Sequence, residues 1–337
     1  MFLRKNKKPK SELRFDVVNK DWVVLSEGRG KRPEDFKKSV RGGSASGGNS
    51  SETADNMPCV FCDYFAQAKF MDKNFAIVPN KFPAFFSQKN KEIKNENALF
   101  QKMPSVGSHE VVIFNDHSKQ LADFSFNEWE QLLGVYQQRY LELSKQDFIN
   151  YISIFHNHGK MAGASLIHPH SQIIAIPFFD NNIKALLNAS KEFFQEKGQC
   201  IFCAVNRAER VVKKRIIFEN NNFLVMCPFA SKVNFEVVIS PKNHLSYFEK
   251  MTKEEKSDLA QAFQIIMAKL NKGLGSPDYN FYLKTSPCDD KEYPFFHWHF
   301  TIMPRISVWA GFELGTGIEI ITMPPEKATN YLKNIKI

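Results

Sequence analysis

Residues 155–174 read FHNHGKMAGASLIHPHSQII. The His-Pro-His-Ser-Gln unit near the end of this stretch is expected to be extended, and an extended chain turns alternate side chains to the same face. Two imidazoles and an amide can then converge on one ligand. They belong to His168, His170 and Gln172. We therefore predict that this unit is a catalytic strand.

Small residues stand ahead of the histidines. They would let the backbone approach a phosphate closely, where bulky side chains would prevent it. These residues are Gly159, Gly163 and Ser165. Two plainer interpretations remain open at this point: the two histidines are both metal ligands, or the small residues only form a turn. The stretch alone favours neither.

The composition narrows the classes of function. With 337 residues the chain is long enough for about two domains. The formal net charge is +9, which suits anionic partners. Beyond the N-terminal tail, however, no stripe of lysine and arginine interleaved with aromatic residues appears. We therefore expect a site for a small phosphorylated molecule and no nucleic-acid partner.

Cysteine usage and hydropathy indicate the compartment. Four of the six cysteines form two Cys-x-x-Cys pairs, which fits metal binding in a reducing compartment better than a disulfide framework. The sequence contains no run of about 18 apolar residues. The basic residues 1–10 lack the apolar segment of a secretory signal. We predict a cytoplasmic protein with no membrane partner.

The spacing of apolar residues predicts several elements ahead of the histidine unit. Residues 11–25 read as two strands joined by a turn. Residues 126–145 carry a helical pattern of apolar side chains. Further strands are expected at 74–84, 110–114 and 151–155.

Two segments near the N-terminus lack such spacing. Arg29, Lys31 and Arg32 lie within four residues of one another. They could close over the phosphates of a nucleotide, although exposed charges of this kind are usually only solvated. Residues 42–56 read GGSASGGNSSETADN and cannot bury apolar area, so we expect a flexible loop there.

The second half of the chain repeats three landmarks of the first half in the same order, which indicates an internal duplication. The landmarks are a Cys-x-x-Cys pair, a Glu-Val-Val-Ile segment followed by a histidine, and a His-x-His unit. They occupy residues 59–62 and 200–203, 110–117 and 236–244, and 168–170 and 297–299.

Each half therefore offers two cysteines and two histidines, the ligands of a tetrahedral Cys2His2 site. The first set is Cys59, Cys62, His117 and His168, and the second is Cys200, Cys203, His244 and His297. Two pairs with matched downstream histidines favour two structural zinc ions over a redox pair. His109 competes with His117 for the first site.

A comparison of the halves at a constant offset of 129 residues separates the metal ligands from the other polar residues. His168 and His170 meet His297 and His299. The five other polar or small residues of the stretch align with residues of a different type. In order, the pairs are Asn157 with Ser286, Gly159 with Cys288, Gly163 with Glu292, Ser165 with Pro294 and Gln172 with Thr301. If His168 completes a four-ligand site, His170 is free for chemistry.

The motifs together resemble those of a known family. In order they are Arg-x-Lys-Arg-Pro, Cys-x-x-Cys, Asp-His-Ser-Lys, Asn-x-Gly, Gly-x-Ser and His-x-His-x-Gln. They resemble the galactose-1-phosphate uridylyltransferase family, a branch of the histidine-triad superfamily, from about residue 13 to about residue 332. The segment at 310–317, AGFELGTG, and the serine at 171 are closer to the ADP-glucose phosphorylase branch.

The resemblance implies an α+β fold of two fused histidine-triad-like units with an antiparallel sheet and flanking helices, usually as a homodimer. We place the catalytic unit at residues 1–190 and the second unit at 191–337. The resemblance also implies that His117, in the Asp-His-Ser-Lys motif, is the zinc ligand in preference to His109.

The resemblance further implies a mechanism. His170 attacks the α-phosphorus of a nucleoside diphosphate sugar and forms a nucleotidyl-histidine, which an acceptor phosphate then attacks. Gln172 and Ser165 assist the transfer. The nucleotide and its phosphates are bound by Arg29, Arg32, Asn157, Gly159 and Gly163.

Two other functions remain possible from the sequence. In a histidine-triad hydrolase, water would take the nucleotide from His170. In a zinc-scaffolded nucleotide- or nucleic-acid-binding protein, the positive charge and the paired cysteines would matter most. Such a binding protein would not need the glycines, Ser165 and Gln172 to be confined to one half.

Overall fold

The computed structural model describes residues 11–26, 59–67, 72–87 and 92–337. The strands in these ranges are β1 Ser11–Asp16, β2 Asp21–Ser26, β3 Phe75–Pro79, β4 Lys94–Asn95, β5 Gln101–Pro104, β6 Ser108–Phe114, β7 Tyr151–His158, β8 His170–Ile176, β9 Ile216–Glu219, β10 Phe223–Met226, β11 Val237–Pro241, β12 Tyr279–Lys284 and β13 His299–Pro304. The α-helices are α1 Val60–Gln67, α2 Phe126–Ser144, α3 Asn181–Lys197, α4 Ile201–Val212, α5 Lys253–Leu274, α6 Gly311–Thr316 and α7 Pro325–Asn334.

Nine of the described strands form one sheet, in the order β3-β6-β8-β7-β12-β13-β11-β10-β9. Every neighbouring pair in this sheet is antiparallel. The first four strands come from the first half of the chain and the other five from the second. Apart from β9, the second group repeats the first in mirrored order, so that β12, β13, β11 and β10 correspond to β7, β8, β6 and β3. The predicted α+β fold with an antiparallel sheet is confirmed.

The two halves of the sheet meet at β7 and β12, and the registers of β7 with β8 and of β12 with β13 correct the sequence comparison. His156 pairs with Ser171, and Leu283 pairs with Phe300. Because Ser171 and Phe300 correspond at offset 129, His156 and Leu283 correspond at offset 127. The loop between the paired strands is thus two residues longer in the second half. The assignments of Ser286 to Asn157 and of Cys288 to Gly159 were wrong.

The corrected counterpart of Asn157 is Lys284, and that of Gly159 is Ser286. On β7 and β12 the directly paired residues Phe155 and Tyr282 are each other's counterparts. A local two-fold axis therefore passes between them, and the sheet is continuous across it. The boundary at 190/191 stays a prediction; both residues lie within α3.

Two long helices cover one face of the large sheet. Helix α2 begins with a capping box of Ser125 and Glu128, and α5 begins with one of Thr252 and Glu255. The predicted apolar side of α2 is buried, and Trp129 stacks on Phe263 of α5 with ring centroids 4.6 Å apart. This packing forms the main core and leaves the opposite face of the sheet available for other contacts.

A second sheet of four described strands, in the order β2-β1-β5-β4, lies near the other face. It contains the two predicted N-terminal strands. Leu13 of β1 is buried against Ala84 and Phe85, and Ile174 of β8 also packs on this cluster. Apolar contacts therefore attach the small sheet to β8.

Two predicted strand boundaries were wrong. The strand expected at 74–84 ends at Pro79, because Asn80 Oδ1 accepts a hydrogen bond from the Phe82 N–H and turns the chain, and Pro83 has no N–H to continue a ladder. Strand β8 begins at His170, so His168 lies ahead of it. Among the described residues, no helix combines the length and the apolar character needed to cross a membrane.

Candidate functional site

The face of the large sheet opposite α2 and α5 carries His170 and Gln172. On the neighbouring strand β6 these residues pair with Ile113 and Val111, which point to the same face. A cavity of about 580 Å³ opens there, and it is lined by His170, Gln172, Ser165 and Gly163 among others. The structure thus brings together all three predicted catalytic residues.

The His170 ring is held in one orientation. Its Nδ1 lies 2.9 Å from the His168 carbonyl oxygen, which can only accept, so Nδ1 carries the hydrogen. The lone pair is then on Nε2. The ring also makes an edge contact with Phe61, with centroids 4.8 Å apart. Burial lowers the pKa of His170, which favours the neutral, nucleophilic form.

Gln172 is oriented by His109. The Ala84 N–H donates to His109 Nδ1 over 3.1 Å, so the ring hydrogen is on Nε2. This Nε2–H donates to Gln172 Oε1 over 2.8 Å. The amide NH2 of Gln172 therefore remains available to a ligand. The sequence also allowed His109 as a metal ligand in place of His117, but His109 is not among the clustered residues of the metal sites. Its contact with Gln172 became apparent only from the fold.

The loop at 159–165 needs glycine at two positions for different reasons. Gly159 and Gly163 have φ values of +81° and +80°, where side chains are disfavoured. A Cβ on Gly159 would lie 1.9 Å from Asp278 Oδ1, whereas a Cβ on Gly163 would meet nothing within 4 Å. Close packing against Asp278 thus explains Gly159, whereas we had expected a phosphate to explain it. Gly163 borders the open cavity.

Alanine substitutions should separate these two requirements. Gly163→Ala should lower the free energy of unfolding by about 1 kcal/mol because of its backbone conformation alone. Gly159→Ala should lower it by at least about 2 kcal/mol, because Asp278 must also move. Denaturant unfolding of the two variants measures the difference. Equal losses would contradict the role assigned to Asp278.

Asn157 and Gly159 border an adjacent cavity of about 380 Å³. Ser165 lines both cavities, so the loop separates the His170 side from the Asn157 side. Lys160 and His168 also line the second cavity. Arg29, Arg32 and the loop predicted at 42–56 lie outside the described residues.

The first predicted metal set comes together at the start of α1. One potential ligand atom from each of the four residues, Cys59, Cys62, His117 and His168, lies within 4.8 Å of the others. The Nδ1 atoms of the two histidines are 3.1 Å apart, and Cys62 Sγ is 3.5 Å from His117 Nδ1. Ligand atoms around tetrahedral zinc are separated by about 3.3–3.8 Å, which is close to these distances, so the set could hold the ion.

The outer nitrogen of His168 supports the same conclusion. Nε2 lies 2.6 Å from the Phe114 carbonyl oxygen and donates to it, so Nδ1 offers a lone pair to the cluster. His168 therefore points away from the ligand cavity of His170. The initial expectation that His168, His170 and Gln172 converge on one ligand was wrong, because β8 begins only after His168.

The second predicted metal set has the same design. Its members also lie within 4.8 Å of one another, and they are Cys200, Cys203, His244 and His297. Cys203 Sγ is 3.4 Å from His244 Nδ1, and His297 Nε2 donates to the Pro241 carbonyl oxygen over 2.9 Å. Both clusters could hold a metal, and their donors suit zinc.

Comparisons with known proteins agree with these observations. Residues 2–179 match the family model described as galactose-1-phosphate uridyl transferase, N-terminal domain. The chain is 32% identical to the ADP-glucose phosphorylase of Arabidopsis thaliana, over 97% of the chain and 93% of that protein. It is 29% identical to the galactose-1-phosphate uridylyltransferase of Thermotoga maritima, over 97% of the chain and 99% of that protein.

Similarity extends to a solved structure. The crystal structure of an Arabidopsis thaliana ADP-glucose phosphorylase with bound ADP-glucose superposes with a TM-score of 0.73 at 29% identity. The superposition covers 97% of this chain and 100% of that one. The similarity therefore includes both halves of the large sheet.

Proposed function

The chain belongs to the galactose-1-phosphate uridylyltransferase family, and from this membership we propose that it is a hexose-1-phosphate nucleotidylyltransferase. It takes a nucleoside monophosphate from a UDP- or ADP-hexose and passes it to a hexose 1-phosphate or to inorganic phosphate. A covalent nucleotidyl-His170 intermediate connects the two steps. The orientation of His170 is the observation that supports this proposal most directly.

In the first step, His170 Nε2 attacks the α-phosphorus. The new nitrogen–phosphorus bond forms as the bridging oxygen–phosphorus bond breaks, and the sugar 1-phosphate departs. The ring becomes positively charged because Nδ1 keeps its hydrogen, and the hydrogen bond to the His168 carbonyl stabilises this charge. In the second step, an acceptor phosphate oxygen attacks the phosphorus and His170 leaves as neutral imidazole.

Gln172 and Ser165 act on the phosphoryl oxygens. With Oε1 occupied by His109, the NH2 group of Gln172 donates to a non-bridging oxygen, where negative charge concentrates in the transition state. Ser165 donates from the loop between the two cavities. Asn157 and Gly163 bind the nucleotide and its phosphates, while Gly159 lets the loop pack against Asp278. As the family resemblance implies, Arg29 and Arg32 are further ligands of the nucleotide.

A His109 variant tests the hydrogen bond to Gln172. His109→Ala should lower the transfer rate by about 10-fold, because the freed amide can rotate and lose part of its alignment. In a Gln172→Ala background the same change should have almost no further effect. Steady-state rates of the single and double variants provide the comparison. An equal loss in both backgrounds would reject the link between the residues.

Zinc in both clusters is proposed to have a structural role. The first cluster would hold His168 two residues before His170, and the second would hold His297 two residues before His299. Bound zinc would cross-link these segments without touching the substrate. We further propose that the protein is a cytoplasmic homodimer, and light scattering of the purified protein tests the dimer.

Intact-protein mass spectrometry tests the function. The protein is mixed briefly with UDP-glucose or ADP-glucose, without an acceptor. We expect an acid-labile gain of one nucleoside monophosphate, absent from a His170 variant, and the mass identifies the base. Release on adding hexose 1-phosphate or phosphate identifies the acceptor, whereas release in water alone would indicate a hydrolase. No adduct with either donor on zinc-loaded protein would contradict the proposal.

A further inference from the structure

We propose that Asn280, on β12 in the second half of the chain, is a positioning residue for the nucleotide site. It fixes the side-chain amide of Asn157 so that the NH2 end faces the ligand. This inference rests on the proposed function, and it assigns to the second half a direct part in arranging the site in the first half.

The hydrogen bonds determine which way both amides point. Asn280 Nδ2 donates to the Ala162 carbonyl oxygen over 2.9 Å. Because a carbonyl oxygen can only accept, this contact identifies the nitrogen end of Asn280. The same Nδ2 lies 2.8 Å from the Asn157 side chain, so the Asn157 atom that faces it must be the oxygen, Oδ1. The Asn157 NH2 group is then directed away from Asn280.

The position of Asn280 in the sheet makes this contact rigid. Asn157 and Asn280 are directly paired across the junction of β7 and β12, so their side chains leave the sheet on the same face. Both side chains are half-buried. Asn157 also borders the 380 Å³ cavity beside the glycine-rich loop. A donor fixed at this point suits an anionic or hydroxyl-bearing ligand.

Asp278 contacts the residues of the same loop that precede Ala162. Its Oδ2 accepts a hydrogen bond from the Met161 N–H over 2.6 Å, and its carboxylate lies against Gly159. Asp278, directly ahead of β12, therefore holds the loop at Met161, and Asn280 within β12 holds it at Ala162. These two hydrogen bonds keep the loop in place. Only Asn280 also determines which end of the Asn157 side-chain amide faces the ligand.

The arrangement matches that of Gln172 on β8. In both cases a neighbour outside the His-x-His-x-Gln and Asn-x-Gly motifs donates to the amide oxygen, and the NH2 group is left for the ligand. His109 does this for Gln172, and Asn280 does it for Asn157. An amide free to rotate would present its oxygen to a phosphate part of the time, which is repulsive. Fixed neighbours remove that orientation.

A double-mutant cycle tests whether Asn280 acts through Asn157. The variants are Asn157→Ala, Asn280→Ala and the double variant. For each, the apparent second-order rate constant of His170 nucleotidylation and the dissociation constant of the nucleotide sugar are measured. Asn157→Ala should lower the rate constant by about 30-fold and Asn280→Ala by about 10-fold, as expected for a lost hydrogen bond to a charged group. The double variant should be within about twofold of Asn157→Ala.

Asn234→Ala serves as the matched control. Asn234 is also a half-buried asparagine in the second half, and its amide bonds Thr322 and Met323 away from the cavity. It should leave the rate constant within about twofold of the wild type. Melting temperatures and zinc contents of all variants show whether each protein is folded.

The outcomes separate this inference from the proposed function. If the wild type is nucleotidylated but the two losses multiply to about 300-fold, Asn280 only supports the loop and the inference is wrong. If the wild type binds a nucleotide sugar without reacting, the transferase proposal fails, and the same cycle in the dissociation constants still decides the role of Asn280. Absence of both binding and reaction in the wild type would overturn both proposals.

Discussion

Replacing His170 by asparagine should lower nucleotidyl transfer by a factor on the order of 10⁵, because no other group can form the covalent bond to phosphorus. Asparagine has a similar reach and its NH2 can still donate to the His168 carbonyl, so the fold should be retained. Steady-state rates and the mass of the protein after mixing with donor both report the loss. Zinc content and melting temperature should stay close to those of the wild type.

His299→Asn is the matched control for this variant. His299 stands two residues after a histidine of the second metal cluster, as His170 does in the first, and its Nδ1 lies 3.3 Å from the His297 carbonyl oxygen. Its transfer rate should remain within about twofold of the wild type. A His170→Asn protein that keeps more than a tenth of the activity would refute the nucleophile assignment. Joint loss of zinc and folding would instead identify His170 as structural.

Replacing one cysteine in each Cys2His2 cluster should produce the second large effect. Cys59→Ser and Cys200→Ser should each remove about one equivalent of zinc, since serine is a poor zinc ligand. Structural zinc binds with an apparent free energy of about 10–16 kcal/mol, comparable to the whole folding free energy of a domain. Both variants should therefore melt at clearly lower temperatures. Elemental analysis and thermal unfolding measure these changes.

The two cluster variants should differ in activity. In Cys59→Ser the metal cluster that holds His168, two residues before His170, is weakened. Transfer should therefore fall by about 100-fold even where the protein is folded. In Cys200→Ser the affected anchor is His297, in the other half of the sheet, and transfer at the same temperature should stay within about fivefold. Equal losses at a temperature where both are folded would contradict a local role for the first cluster.

Local spacing was sufficient to predict which residues the fold brings together. The Cys-x-x-Cys pairs and the downstream histidines named both clusters that the fold assembles. The two-residue period of an extended chain placed His170 and Gln172 on one face, and this held because β8 begins at His170. The helical period of α2 likewise predicted its buried side. These properties depend on neighbours within a few residues, which the sequence displays directly.

The sequence alone determined the family motifs, the candidate metal-ligand sets and the candidate nucleophile. The tertiary structure decided how the side chains of the site are oriented. His109 contacts Gln172 across 63 positions of sequence, and Asn280 contacts Asn157 across 123. The two-residue difference in offset between the halves appeared only in the strand register. Such contacts depend on loop lengths and on which strands become neighbours, and no local periodicity encodes either, because each is settled by packing of the whole chain.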